Sequence, residues 1–104
     1  MLNILFTLAI PVVKAGIPSD DDLERLSLKL ADKWDKLGRR LGFDQARIIA
    51  YNKENDRLSE KAFKMLMDWK QSEASAGTYQ VLYNALCHPF VNCKRIAEEI
   101  CCCQ

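Results

Sequence analysis

Leu23, Leu26 and Leu30 recur at the spacing that lines one face of an α-helix, with Leu28 and Ala31 alongside. Ser19 precedes this run and Asp22 follows it by one turn, which fits a capping box whose Ser oxygen accepts a free backbone N–H. Trp34, Leu37 and Leu41 repeat the spacing among polar Lys33, Asp35, Lys36, Arg39 and Arg40, predicting a short second helix closed by Gly42. Asp44 is placed to cap a third helix, with Ile48 and Ile49 inward and Tyr51 beyond. Residues 52–57 are all polar and read as a loop.

The fourth helix is the clearest. Ser59 is its expected cap, and Leu58, Ala62, Met65, Leu66 and Trp69 form one apolar face. Phe63 and Met67 widen that face, which predicts burial on more than one side. Residues 72–77 form a small-residue turn, and Thr78 caps a fifth helix. Its expected inward residues are Val81, Leu82, Ala85 and Leu86, with Tyr79 and Tyr83 available to either side. His88-Pro89 stops it, because proline disfavours helical geometry in the residue before it. A sixth helix is expected from about residue 91 to 100, with Ile96, Ala97 and Ile100 inward. No strand pattern competes, so the fold class is all-α, an antiparallel bundle of six helices of about 8–15 residues each.

The two ends fall outside this pattern. Residues 1–17 form an apolar stretch ended by Gly16-Ile17-Pro18, expected to be a tail or leader outside a domain spanning residues 18–100. Leu2 to Val13 is too short to cross a bilayer, which takes about 20 residues. It resembles the apolar part of a signal peptide but has no preceding Lys or Arg, so a flexible tail or the edge of a longer chain fits better. Residues 101–104 read as a Cys-rich tail on a frayed helix end.

Composition adds little to the fold and more to the chemistry. Lys and Arg number 15 against 14 Asp and Glu, a balance that gives no reason to expect nucleic-acid binding. The signs are segregated, however. Asp20, Asp21, Asp22 and Glu24 open the first helix, whereas Lys36, Arg39, Arg40 and Arg47 cluster on the second and third. Such a chain is suited to head-to-tail association through complementary faces. The acidic start and the polar loop with Lys53, Glu54, Asp56 and Arg57 are expected to offer the complementary faces.

The five cysteines are odd in number and three are consecutive, which is no secreted disulfide framework and fits a reducing compartment. Cys87 and His88 are neighbours, but adjacent helical residues do not face each other, and no oxyanion loop accompanies them. Cys87, His88, Cys93 and Cys101 match no familiar zinc spacing. No phosphate loop or dinucleotide fingerprint occurs, so neither a cofactor nor a catalytic group is expected. Cys101-Cys102-Cys103-Gln104 has the outline of a lipidation signal, though its middle positions are not aliphatic and Glu98-Glu99 replaces the usual basic flank. Membrane attachment is expected only if these cysteines are lipidated.

Taken in order, several segments carry a resemblance. They are Asp32-Lys33-Trp34-Asp35-Lys36-Leu37-Gly38-Arg39-Arg40-Leu41-Gly42-Phe43, then Leu58-Ser59-Glu60-Lys61-Ala62, Met65-Leu66-Met67-Asp68-Trp69-Lys70, and Thr78-Tyr79-Gln80-Val81-Leu82-Tyr83-Asn84-Ala85-Leu86. With a Trp opening the second helix before a Leu-Gly ending, and a second Trp closing the fourth, the chain resembles a death domain from about residue 19 to 100. The resemblance implies a six-helix Greek-key bundle that binds other death domains, in the same or different proteins, and oligomerises on assembly. It implies a cytoplasmic adaptor or receptor tail in apoptotic, inflammatory or receptor signalling. The alternative from the residues alone is a lipid-anchored or secreted small helical protein.

Overall fold

In the computed structural model, residues 11–103 are described. Six α-helices follow in chain order: α1 Asp20–Leu30, α2 Trp34–Arg40, α3 Gln45–Glu54, α4 Leu58–Glu73, α5 Tyr79–Cys87 and α6 Lys94–Cys101. Short 3-10 turns, Ala31–Lys33 and Ala74–Ala76, follow α1 and α4. Ser19 caps α1 by accepting the Asp22 N–H at 3.1 Å, Asp44 caps α3 by accepting from Arg47, and Thr78 caps α5 by accepting from Val81. Each cap satisfies a donor that has no partner within its own helix.

α1 and α4 form the most extensive pairing, α5 and α6 the next, and α2 and α3 pack across α4. The core therefore centres on α4, whose Ala62, Met65, Leu66 and Trp69 share one buried cluster with the inner faces of the other helices. Those faces carry Leu23, Leu26 and Leu30 from α1, Trp34 and Leu37 from α2, Ile48 and Tyr51 from α3, and Leu82 and Leu86 from α5. Ala97, Ile100 and Cys101 complete the core from α6.

The Leu-Gly step has two distinct physical roles. Gly42 adopts φ 104°, which closes α2 in a left-handed conformation and lets the Phe43 N–H reach the Gly38 carbonyl at 3.1 Å. Phe43 then lies edge-on to Tyr51 with ring centroids 5.6 Å apart. Gly38 instead permits close helix approach, since a Cβ there would meet Ile48 Cδ1 at 2.8 Å and Met65 Sδ at 3.3 Å. Gly38→Ala is expected to lower stability by up to about 2 kcal/mol. Overpacking, at about 1–3 kcal/mol, outweighs the ~1 kcal/mol that alanine contributes through helix propensity. A urea titration checks this, and a stabilised variant would show that the α2–α3–α4 contact yields freely.

Several inward positions expected from the spacing face outward. Leu28 is 70% exposed, while Ile49, Leu58 and Val81 are each near 44%. In α1 the buried stripe runs through Asp22, Leu23, Leu26, Ser27 and Leu30, and Ser27 satisfies its hydroxyl on the Glu24 carbonyl at 2.6 Å. In α5 Tyr79, Leu82, Ala85 and Leu86 share the inner face, which turns Val81 away. Ala31, also placed beside the α1 stripe, is exposed and leaves the helix at φ 51°. α3 runs to Glu54, so residues 52–54 are its last turn rather than loop. Arg57, not Ser59, takes the position before α4, its N–H donating to the Glu60 carboxylate at 3.3 Å. Val91 is buried but belongs to the loop before α6.

The largest difference lies at the ends. The Cys103 N–H donates to the Val12 carbonyl and the Lys14 N–H to the Cys101 carbonyl, both at 2.7 Å, in an antiparallel bridge centred on Val13 and Cys102. Cys101 and Cys102 are buried, and Val13 packs against the core. Residues 12–17 and 101–103 are thus part of the folded unit, not tails beside it. Small apolar side chains and a short backbone ladder suffice to hold them. The apolar leader before Pro11, and Gln104, lie outside the described residues.

Candidate interaction surface

Of the basic residues, Lys36, Arg39 and Arg40 converge. With Phe90 from the α5–α6 loop they line a groove of about 260 Å³. Arg39 is steadied by Asp35 at 3.3 Å and by the Gln45 side-chain oxygen at 3.1 Å. The Arg40 guanidinium lies over the Phe90 ring at 5.5 Å, and its Nη1 is 3.4 Å from His88 Nε2.

Arg47 is built into a separate cluster. It donates to the Tyr51 hydroxyl at 2.6 Å and to Asp68 at 3.3 Å, and lies over the rings of both Tyr51 and Phe43. Tyr51 in turn donates to Asp68 at 2.7 Å, which ties α3 to α4. Burial, and then this hydrogen bond, push the Tyr51 hydroxyl above its ordinary pKa, and the hydrogen bond with Tyr51 raises that of Arg47.

The acidic residues divide into three settings. Asp20 is exposed and pairs with Lys70 at 2.7 Å, while Asp21 projects to solvent. Asp22 points inward, where its carboxylate meets Lys14 and Arg25 at 2.9 Å each and accepts the Tyr79 hydroxyl at 2.6 Å. Burial works to raise its pKa, but the bonds from Tyr79 and Lys14 outweigh that and hold it below the usual carboxylate value. Asp22 thus locks α1 to α5 and is not part of the outer face. Glu24 lines a small cleft of about 150 Å³ with Leu28 and Phe63.

The loop after α3 carries the larger acidic feature. Glu54, Asp56 and Glu60 border a groove of about 530 Å³ whose walls include half-buried Phe63 and Met67. These two side chains therefore line a surface groove instead of burying a second side of α4. Lys53 and Arg57 are exposed in the same stretch. Sequence reasoning missed Phe90, His88, Glu60 and the outward roles of Phe63 and Met67. An aromatic after a helix-stopping proline was the available signal for Phe90.

The cysteines sort by burial. Burial pushes the Cys101 thiol up to about 12 and raises Cys102 and Cys93 as well, so these sulfurs stay protonated hydrophobes at neutral pH. Only Cys103 of the terminal three is exposed. His88 Nδ1 accepts the Phe90 N–H at 3.1 Å, which ties the ring to the loop after α5. Among the described residues no group of three His, Cys, Asp or Glu is placed to hold a metal ion. Nor is any helix among them long and apolar enough to cross a membrane.

Among the described residues, a bundle of six helices presenting one basic and one acidic groove has the form of a protein-interaction module. The death-domain family model matches residues 20–100, and the chain belongs to the death-domain family. Death domains are interaction modules and not enzymes, and their partners are other death domains. No curated protein and no solved structure matches the chain.

Proposed function

We propose that this chain assembles with partner death domains in cytoplasmic signal transduction of the apoptotic, inflammatory or receptor type, acting as an adaptor or receptor segment. The observation that carries this reading is the separation of charge into two grooves on different helices. Lys36, Arg39 and Arg40 form the basic side, and Glu54, Asp56 and Glu60 form the acidic one. Opposed charges of this kind steer encounter and fix register between partners. Several modest patches per domain then sum to an oligomer. Arg47 contributes chiefly through the rigid α3–α4 cluster that it forms with Tyr51 and Asp68.

Reversing Arg39 and Arg40 to Glu is expected to weaken partner capture by at least about tenfold and to flatten its salt dependence. The fold should survive, since the exposed Arg39–Asp35 pair contributes only about 0.3–0.5 kcal/mol. Binding measured between about 50 and 300 mM salt tests this. Unchanged capture and salt slope would remove the basic groove from the interface.

A further inference from the structure

The loop between α5 and α6 holds an aromatic side chain where the charge pattern alone gives no reason to look. His88 N–H donates to Ala85, Val91 and Asn92 N–H both return to the His88 carbonyl, and Cys93 N–H reaches Leu86 at 2.9 Å. Lys33 Nζ adds a bond to the Val91 carbonyl at 3.0 Å, and Val91 is fully buried. This pinned loop nevertheless presents Phe90 at 69% exposure. A large aromatic held rigidly outward loses little conformational entropy on docking, which favours it as an interface anchor.

The polar groups around Phe90 point the same way. A backbone N–H only donates, so the Phe90 N–H at 3.1 Å makes His88 Nδ1 an acceptor. The proton of the neutral ring is then on Nε2, which faces Arg40 Nη1 at 3.4 Å. Two donors thus stand side by side, with Lys36 lining the same groove. No carboxylate among the described residues pairs with Arg40 or Lys36. A carboxylate oxygen is the acceptor this arrangement recognises.

The same chain carries the complement. Glu54, Asp56 and Glu60 border a groove of about 530 Å³ walled by Phe63 and Met67, and Lys64, the one cation in its lining, is paired with Asp68 at 3.5 Å. We propose that Phe90 of one copy inserts into this groove of a second copy, whose carboxylates close on Arg40, Lys36 and His88 Nε2–H. This rests on the death-domain assembly reading and names its self-partner and its contacts. The two surfaces are different patches, so the contact is heterologous and leaves each end of a pair open for another copy.

The test uses sedimentation velocity of the full chain at low salt, up to about 1 mM. The wild type should form species larger than a dimer. Phe90→Ala on one face and E54K with D56K on the other should each weaken self-association about thirtyfold or more. Unchanged thermal melts would show that all variants stay folded, as the exposure of these side chains predicts. The decisive arm mixes the two variants, because each retains the face the other lacks. A one-to-one complex that grows no further is the expected result. A wild type that stays monomeric overturns the proposal, as do variants that still polymerise or a mixture that stays monomeric. A monomeric wild type that still captures a partner death domain through Arg39 and Arg40 would overturn self-docking alone. Arginine-independent capture would instead count against the broader reading.

Discussion

Trp69→Ala is expected to remove about 3–5 kcal/mol of folding free energy, the range for truncating a large aromatic in a packed core. Trp69 is 1% exposed on α4, the helix against which α1, α2 and α3 all pack. Its ring also approaches the turn after α4, where Cζ2 lies 3.5 Å from the position of a Cβ on Gly77. Truncation therefore opens a cavity at the centre and loosens the α4–α5 connection together. A domain of this length has a total stability of about 5–10 kcal/mol, so the variant should be largely unfolded at elevated temperature. Urea unfolding followed by circular dichroism measures the loss. A shift equivalent to less than about 1 kcal/mol would mean that the core collapses around the gap and that Trp69 is not its anchor.

The second large effect is expected at Asp22. Asp22→Asn should cost about 2–3 kcal/mol at neutral pH, because a nearly buried carboxylate bonded to Lys14, Arg25 and Tyr79 loses its charge. The pH dependence has a definite sign. The folded pKa of Asp22 lies below its ordinary value of 3.8, so its contribution is present above 3.8 and lost as pH falls through the folded value. The hydrogen bond to Asp22 raises Lys14 above 10.5, so that contribution is present below 10.5 and lost as pH rises past the folded value. Stability from this network should be level between these limits. Thermal melts from pH 2 to 7 should show a shallower acid decline in Asp22→Asn than in wild type. Parallel declines would assign the acid sensitivity to other carboxylates.

Much of the fold was legible because a soluble helix writes its buried face into its spacing. All six helices, the Ser19, Asp44 and Thr78 caps and the Gly42 stop follow from local chemistry. The errors share one cause. Leu28, Ile49 and Val81 are apolar and adjacent to buried stripes, but which of two neighbouring faces is covered is decided by the crossing helix. Asp22 illustrates the converse. As one of three aspartates it reads as solvated, and only Lys14 and Tyr79, distant in sequence, turn it into an internal tie. The basic groove was half legible, since Lys36, Arg39 and Arg40 lie close together in sequence on one helix. Phe90 reaches them only through the return of the α5–α6 loop, a long-range placement that periodicity does not encode. The terminal cysteines read as partly covering the core, but the segment that pairs with them was not legible, for the same reason. Their covering partner, Val13, lies at the opposite end of the described chain.

The pairing of Val12–Lys14 with Cys101–Cys103 also sets how the domain answers mechanical load. Tension applied at residues 12 and 103 pulls on the same end of a short antiparallel ladder. Its hydrogen bonds are then loaded one after another, as in opening a zipper, with the Cys103–Val12 bond first and the Lys14–Cys101 bond next. The helices are stressed only after this clasp has parted, so a weak first yield should precede the rupture of the bundle under stretching.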